Sequence, residues 1–421
     1  MDYVIIGNSA AAVGAVEGIR QVDREGRITV ISDEPYHTYS RPLISYWLAG
    51  KVAEDKMMFR KEKFYENNKV NSMLGSRVRR IDFEDRKVEL EDGTVVPYKR
   101  LLVAAGGKPV IPPVDGLDKK GVFTFIKLND VKEIKHAVAA GKKKAVVIGA
   151  GLIGLKAAEA LNRLGIDVTV VELANRILPA ILDEESAQMV QGYLEGTGIK
   201  FILNNSVSKV TGDAEVTGVT LRDETVIQCD MLIVAIGVRP NTDLVDGGVR
   251  VNRGILVNEK METSLGGVYA AGDVSEGFDI SSGTNRVLPL LPNAYLQGET
   301  AGRNMAGVET IFNCGLAMNA IGFGDLPMLT AGIVKPDSEE FEVLVDSDPE
   351  TCSYRKIVLQ DNKIVGYILL NKVDRAGILT GLIKEKADIT PFKERLMSPG
   401  FGYVDFPEAD RKARLSGRAV Q

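Results

Sequence analysis

The sequence predicts an α/β fold with two Rossmann-like dinucleotide-binding units in one chain. Three observations carry this. Residues Lys144 to Glu172 read as strand, glycine turn, helix and a second strand that ends in an acid. Residues Asp2 to Glu34 repeat that pattern in a weaker form. Two later strands end alike, in Ala104-Ala105-Gly106 and Ala235-Ile236-Gly237. An internal repeat of this kind marks a duplicated architecture more strongly than either glycine motif alone.

In the central unit, Ala145 to Ile148 is a short, wholly apolar run suited to a buried parallel strand. Gly149, Gly151 and Gly154 supply G-x-G-x-x-G, and Leu152 to Leu164, beginning Leu152-Ile153, has helical apolar spacing. Gly149 permits the tight turn, Gly151 lets the backbone approach a pyrophosphate, and Gly154 lets helix pack on strand. The phosphates then lie at the helix N-terminus. Asp167 to Val171 is the next strand, and Glu172 follows it 18 residues beyond Gly154, where a carboxylate can accept from an adenosine ribose. Such an acid repels a 2′-phosphate and favours NADH, while Arg176 nearby works the other way.

The first unit opens with the strand Asp2 to Ile6, then Gly7, Ser9 and Ala12 at the three motif positions. Small residues keep the close approach, and the Ser9 hydroxyl can donate to a phosphate. Ala10 to Val22 reads as the helix and Arg27 to Ser32 as the next strand, with Asp33 and Glu34 placed to hold a ribose. Pro35 to Pro42 is a stiff, aromatic and basic loop containing Arg41. Short alternating runs from Val70 to Tyr98, broken at Asp92-Gly93, read as an antiparallel meander. A second meander covers Lys200 to Leu203 and Ala214 to Gln228, and Pro109 to Asp118 is a Pro- and Gly-rich linker.

Composition bounds the rest. A length of 421 residues exceeds one hydrophobic core and predicts roughly two to four domains. A net charge of −5 argues against nucleic acid as a partner. The longest apolar run, Ala145 to Leu155, is too short for a membrane span. A first strand at Asp2 or Tyr3 leaves no room for a signal peptide. Cys229, Cys314 and Cys352 are widely spaced and fit a reducing compartment, so a cytoplasmic location is expected.

Five motifs in order, the Gly7 turn, Ala104-Ala-Gly106, the Gly149 turn, Ala235-Ile-Gly237 and Ala271-Gly272-Asp273, give the whole chain its resemblance. It resembles the FAD-dependent pyridine nucleotide–disulfide oxidoreductase superfamily. That resemblance implies an NAD domain inserted in an FAD domain. It divides the chain into 1–112 and 244–309 for FAD and 113–243 for NAD. It assigns Gly7, Ser9, Ala10, Ala12, Asp33, Glu34, Arg41, Pro42, Val78, Ala105, Gly106, Gly272, Asp273 and Asn293 to FAD. Asp273 would bind the ribityl chain, and a helix from Pro292 to Met305 would aim its positive end at the flavin. Arg41 either meets the pyrophosphate or flavin edge or packs as a surface charge. Gly149, Gly151, Leu152, Ile153, Gly154, Glu172, Arg176 and Gly237 are assigned to NAD(H). Lys156 stands where these reductases commonly carry a Glu. It either reaches solvent along its helix or lies as a cation near the flavin and tunes its potential.

Residues 310–397 resemble the C-terminal α+β domain of NADH:rubredoxin reductases and related nitrite reductase subunits, through Asn319 to Pro327 and Tyr354 to Leu370. The second stretch also reads as a plain hairpin around Asp361-Asn362. The opening Gly7 to Ala12 and the tail beyond Ala387 further resemble flavin subunits of multi-subunit oxidoreductases acting on 2-oxoacids or aldehydes. Arg411, Lys412, Arg414 and Arg418 make 398–421 a basic tail, either an arm for an acidic partner or a solvated terminus.

Cysteine inventory narrows the chemistry. Residues 39 to 50 contain no cysteine, so the disulfide or sulfenate chemistry that relatives place beside the flavin is excluded. Three cysteines cannot build a four-thiolate iron–sulfur cluster. Cys229 reads as core, and the only histidines are His37 and His136, the latter in a Lys-rich helix spanning Asp130 to Ala140. What remains is hydride exchange between nicotinamide and flavin. Electrons then pass to a one-electron protein carrier, or to an iron–sulfur subunit of a hetero-oligomeric complex. A redox-sensing flavoprotein is the non-enzymatic alternative.

Overall fold

The structure is a computed structural model that describes residues 2–416. Two parallel five-stranded sheets form its frame. In the first, Asp2–Ile6 lies between Arg27–Ser32 and Arg100–Val103, with Val70–Leu74 and Val268–Ala270 at the edges. In the second, Lys144–Ile148 lies between Asp167–Val171 and Met231–Val234, with Lys200–Ile202 and Val122–Phe123 at the edges. The central strands are buried on both faces, which explains their unbroken apolar sequence.

Each sheet carries a three-stranded antiparallel meander. The first is Val78–Asp82, Lys87–Leu90 and Val95–Pro97; the second is Val207–Thr211, Gly218–Leu221 and Val226–Gln228. Both break register after the first residue of their first strand, between Val78 and Arg80 and between Val207 and Lys209. The duplication therefore extends to an irregularity that no motif encodes. The segments after the two Ala-x-Gly turns, Gly107–Pro109 and Val238–Pro240, pair antiparallel with each other.

Helix Ala10–Val22 packs on helix Leu291–Met305 through glycines spaced four apart on each. A Cβ at Gly298 would stand 1.9 Å from the Ala11 carbonyl oxygen, and one at Gly14 would stand 2.2 Å from that of Tyr295. Glu17 then joins the pair laterally, accepting from Tyr295 at 2.7 Å and from Arg60 at 2.6 Å.

The chain divides into two compact units. One holds the residues up to Asn175, Gly198–Asp279 and Gly283–Gly315; the other holds Arg176–Thr197, Ile280–Ser282 and the described residues from Leu316 on. The second unit is an antiparallel sheet in the order Met318–Phe323, Leu326–Gly332, Lys363–Leu370, Ser353–Gln360, Glu342–Asp348. Helix Ala376–Glu385 lies against it and contributes Leu379, Leu382 and Ile383 to its core. The turn between Ser353–Gln360 and Lys363–Leu370 is Asp361-Asn362, with φ of 50° and 54°, the two-residue hairpin expected from the sequence.

Helix Glu184–Gly196, from within the expected 113–243 stretch, clusters with this second unit. Its N-cap is Asp183. One oxygen accepts from the Ser186 amide at 3.1 Å, and the other from Tyr354 at 2.7 Å and from the buried Lys356 at 2.8 Å. Burial works to raise the Asp183 carboxyl pKa, but Lys356, Ser186 and Tyr354 outweigh it and hold it below the ordinary value.

Several expectations need correction. Val70–Leu74 and Lys200–Ile202, read as parts of the two meanders, are edge strands of the parallel sheets instead. The Lys-rich helix starts at Leu128, two residues early, because the Asp130 carboxylate reaches back to the Ile126 and Lys127 amides at 2.7 and 3.0 Å and caps it. The tail is not an exposed arm over its described length. Glu408–Leu415 is a helix in which Arg414 pairs with Glu385 and lies over the Phe406 ring, while Phe401 and Phe406 are buried. The tail supplies the partner of Lys412, Glu408, and an earlier helix supplies that of Arg414. Arg418 lies outside the described residues.

Gly298→Ala should lower stability by about 1–3 kcal/mol, because the helices must part to admit the methyl; thermal melts of the full chain measure this, and an unchanged midpoint contradicts the packing. Asp183→Asn should cost about 3 kcal/mol at pH 7 by leaving Lys356 buried without its counter-charge. Since the native carboxyl pKa is lowered, that contribution is present at neutral pH and is lost as pH falls through it, below about pH 4. Denaturant midpoints of the two proteins should therefore converge in acid.

Candidate functional site

Each glycine turn is set by contact with a neighbouring carbonyl. Gly7 has φ of 118°, and a Cβ there would lie 2.1 Å from the Ala104 oxygen. Gly149 has φ of 101°, and a Cβ would lie 2.5 Å from the Ala235 oxygen. The Ala-x-Gly turns and the glycine turns thus form two equivalent pairs. A Cβ at Gly154 would meet the Gly149 oxygen at 2.0 Å, so this position brings helix onto strand as expected.

Gly151, Gly106 and Gly237 behave differently, since a Cβ at any of them would meet nothing within 4 Å. That space is a cradle open to a ligand. Ser9 and Gly151 are the N-caps of helices Ala10–Val22 and Leu152–Arg163, and neither supplies a side-chain cap bond. The first-turn amides are therefore left for an anion, which fits a pyrophosphate in each unit. Ala10 and Ala12 are buried in the first helix, as close packing requires.

Glu172 sits at the second cradle. Its oxygens accept from the Ala150 amide at 2.7 Å and the Ala174 amide at 2.8 Å, which ties the acid to the glycine turn itself. Three large apolar side chains on this rim are exposed: Leu173 at 59%, Ile153 at 36% and Ile236 at 39%. They follow Glu172, open the helix and precede Gly237, where a dinucleotide would cover them. Leu173 carried no motif signal; only its exposure marks it, whereas Ile236 lies inside the Ala235-Ile236-Gly237 turn. Arg176 is placed with the second compact unit, where burial and then the Arg176 charge lower the pKa of Lys335.

At the first cradle, the acids after Arg27–Ser32 are engaged by side chains. Asp33 points to Lys127, with its carboxylate 2.7 Å from the ammonium. Glu34 is buried, accepting from Tyr39 at 2.7 Å and from Arg41 at 2.5 Å. Arg41 also donates to the Ile126 carbonyl at 3.2 Å, so it is neither a loose surface charge nor an unshared cation. Val78 is buried at the start of its meander, and Pro42 lies in the short turn Arg41–Leu43.

Asp273 follows Gly272, whose amide donates to the Gln297 side chain at 2.8 Å. Burial pushes the Asp273 carboxyl pKa up, and the Arg41 charge opposes this. Helix Leu291–Met305 begins one residue before the expected Pro292, has Leu290 as N-cap with no side-chain cap bond, and carries Asn293 in its first turn. Sequence reasoning missed Tyr39 and Gln297. The available signal for Gln297 was a polar residue beside Gly298 on a face that small residues already marked as buried.

Lys156 is largely enclosed rather than extended into solvent. Its side chain is 12% exposed, its ammonium pairs with Glu159, and it lies 4.8 Å from the Tyr46 ring centre. Glu159 also stands 3.7 Å from Lys51. Helix Ile44–Leu48, which presents Tyr46, is what encloses the lysine.

Two of the three thiols are held in the protonated form by burial. Cys229 is buried, and burial together with Asp230 pushes its pKa up to about 11. Burial also raises that of Cys352. His136 is exposed on its helix, as expected. Among the described residues there is no group of three or more His, Cys, Asp or Glu that could hold a metal, and no helix is long and apolar enough to cross a membrane.

Comparison with known proteins agrees with this geometry. Residues 1–298 match the family described as pyridine nucleotide-disulphide oxidoreductase, and residues 318–387 match the rubredoxin NAD+ reductase C-terminal domain. The chain is 32% identical to the NADH-dependent phenylglyoxylate dehydrogenase subunit epsilon of Aromatoleum evansii, over 94% of both chains. It is 35% identical to the Bacillus subtilis nitrite reductase [NAD(P)H], covering 92% of this chain but only 48% of that protein. The solved NADH:rubredoxin oxidoreductase of Clostridium acetobutylicum superposes with a TM-score of 0.76 at 25% identity, over 92% of this chain and 96% of that one. The chain belongs to the pyridine nucleotide-disulphide oxidoreductase family and is an FAD- and NAD(H)-binding oxidoreductase.

Proposed function

We propose that this enzyme passes electrons between NADH and a one-electron protein carrier of rubredoxin or ferredoxin type, or an iron–sulfur partner subunit, without a protein thiol. One observation supports the reading: Gly106, Gly151 and Gly237 leave open space beside the two glycine turns, while residues 39–50 hold no cysteine. Bound FAD would supply the two-electron to one-electron conversion. The chain's own residues bind and orient. We assign the cradle of Gly7 and Gly106, with Arg41, Asp273 and the start of helix Leu291–Met305, to FAD. The cradle of Gly149, Gly151 and Gly237, with Glu172, is assigned to NADH. The uncapped start of helix Leu291–Met305 favours negative charge by up to about 2 kcal/mol where partly buried. The corresponding division is 1–112 and 244–309 for FAD, 113–243 for NAD(H), 310–397 for the C-terminal domain and 398–421 for the tail, in a cytoplasmic protein.

A second reading, the NAD-facing flavin subunit of a 2-oxoacid or aldehyde oxidoreductase complex, is favoured by the match to the phenylglyoxylate dehydrogenase subunit over 94% of both chains. Co-purification separates the two, since a lone, active, monodisperse flavoprotein counts against a complex. Rapid flavin reduction by NADH in stopped flow would remove a purely sensory role.

The test of the main reading is to reduce the flavin with NADH without oxygen and follow its reoxidation. Rubredoxin or ferredoxin should reoxidise it fast and oxygen slowly; reoxidation by a disulfide alone would refute the proposal. For the nicotinamide, Glu172→Ala should remove about 1.5–3 kcal/mol of ribose binding, narrowing the NADH over NADPH preference roughly ten- to a hundredfold in kcat/KM. An unchanged ratio would sink the assignment of Glu172.

A further inference from the structure

The loop after strand Arg27–Ser32 meets Ile126 to Lys132, the segment that opens helix Leu128–Ala139, at five places. Lys127 pairs with Asp33 at 2.7 Å, and Tyr36 donates to Asn129 at 2.5 Å. Lys132 lies 4.3 Å from the Tyr36 ring centre and 3.2 Å from the Glu54 carboxylate. Tyr39 accepts from the Leu128 amide at 3.1 Å while donating to Glu34, and Arg41 joins the Ile126 carbonyl to Glu34. Every loop residue in this set except Glu54 lies in Asp33 to Arg41, the loop assigned to the first dinucleotide. Every partner in the helix turn belongs to the stretch that opens the second dinucleotide unit.

We propose that Lys127, Asn129 and Lys132 are positioning residues that couple the two nucleotide sites. This rests on the assignment of FAD to the first site and NAD(H) to the second. A loop held in one geometry by FAD presents Asp33 and Tyr36 to the helix in one geometry. Ordering achieved by one ligand is then not required again of the other, and each raises the affinity of its counterpart by the same factor. Contact between nicotinamide and flavin would give a similar effect for a trivial reason. ADP-ribose, which lacks the nicotinamide ring, removes that route.

The experiment measures the FAD dissociation constant of the full chain by flavin fluorescence on serial dilution, with and without saturating ADP-ribose. ADP-ribose should tighten FAD by at least about fivefold, the lower end of ordinary coupling between sites. In the triple variant Lys127→Ala, Asn129→Ala, Lys132→Ala the factor should fall below about twofold, while calorimetry still shows ADP-ribose binding and circular dichroism a folded chain. The variant Lys127→Arg, Lys132→Arg should keep the coupling, since charge and cation–π contact survive. Equal FAD constants with and without ADP-ribose in the unsubstituted protein would overturn the proposal, as would coupling undiminished in the triple variant. If ADP-ribose does not bind at all, the site assignment fails with it; if it binds without coupling, only the positioning role fails.

Discussion

The structure depends on a backbone contact too close for any side chain. Gly7 against the Ala104 carbonyl and Gly149 against the Ala235 carbonyl are one arrangement made twice, with room for a Cβ in neither. The contact fixes where the strand turns into the helix, and so where the helix amides point. It also brings the Ala-x-Gly turn of a neighbouring parallel strand to the same edge. Beyond it the chain leaves Gly151, Gly106 and Gly237 facing open space. Glycine is thus used in two ways within a few residues, to make contact with the fold and to leave room for a ligand.

That division explains what was legible in the sequence. The frame was readable because buried parallel strands need continuous apolar runs and the turns need small residues, both local signals. Helix Ala10–Val22 and strands Arg27–Ser32 and Asp167–Val171 fall within the expected bounds. The hairpin at Asp361-Asn362 was legible for the same reason, since two residues that tolerate positive φ separate two alternating runs.

Polar side chains were not legible, because their partners are distant in sequence. Asp33 was read as a ribose ligand on its position after a strand, yet it faces Lys127, 94 residues away. Arg414 shares its helix with Glu408 and Asp410 but pairs with Glu385, 29 residues earlier in the chain. Lys156 looked like a helix lysine with access to water until Tyr46, from a different helix, covered it. Long charged side chains follow charge and shape in the folded chain. A motif gives their position along an element but not their company.

The two cradles differ most in how they hold their acids. Glu34 is fixed by side chains, Tyr39 and Arg41, inside a buried network that also reaches Ile126 and Leu128. Among the described residues, Glu172 accepts hydrogen bonds only from the main-chain amides of Ala150 and Ala174, in a rim of exposed Leu173, Ile153 and Ile236. The side chains of the first cradle brace one another without a ligand, so the cost in entropy of ordering them is met in folding. Releasing a ligand from the second disturbs a carboxylate whose amide partners stay where the helix and strand put them. The first arrangement suits a cofactor that remains through many turnovers, and the second a substrate that must leave in each one. On the proposed assignment, with FAD at the first cradle and NAD(H) at the second, a duplicated fold serves two kinetic requirements by changing what surrounds the acid, while the glycine contact that positions it stays the same.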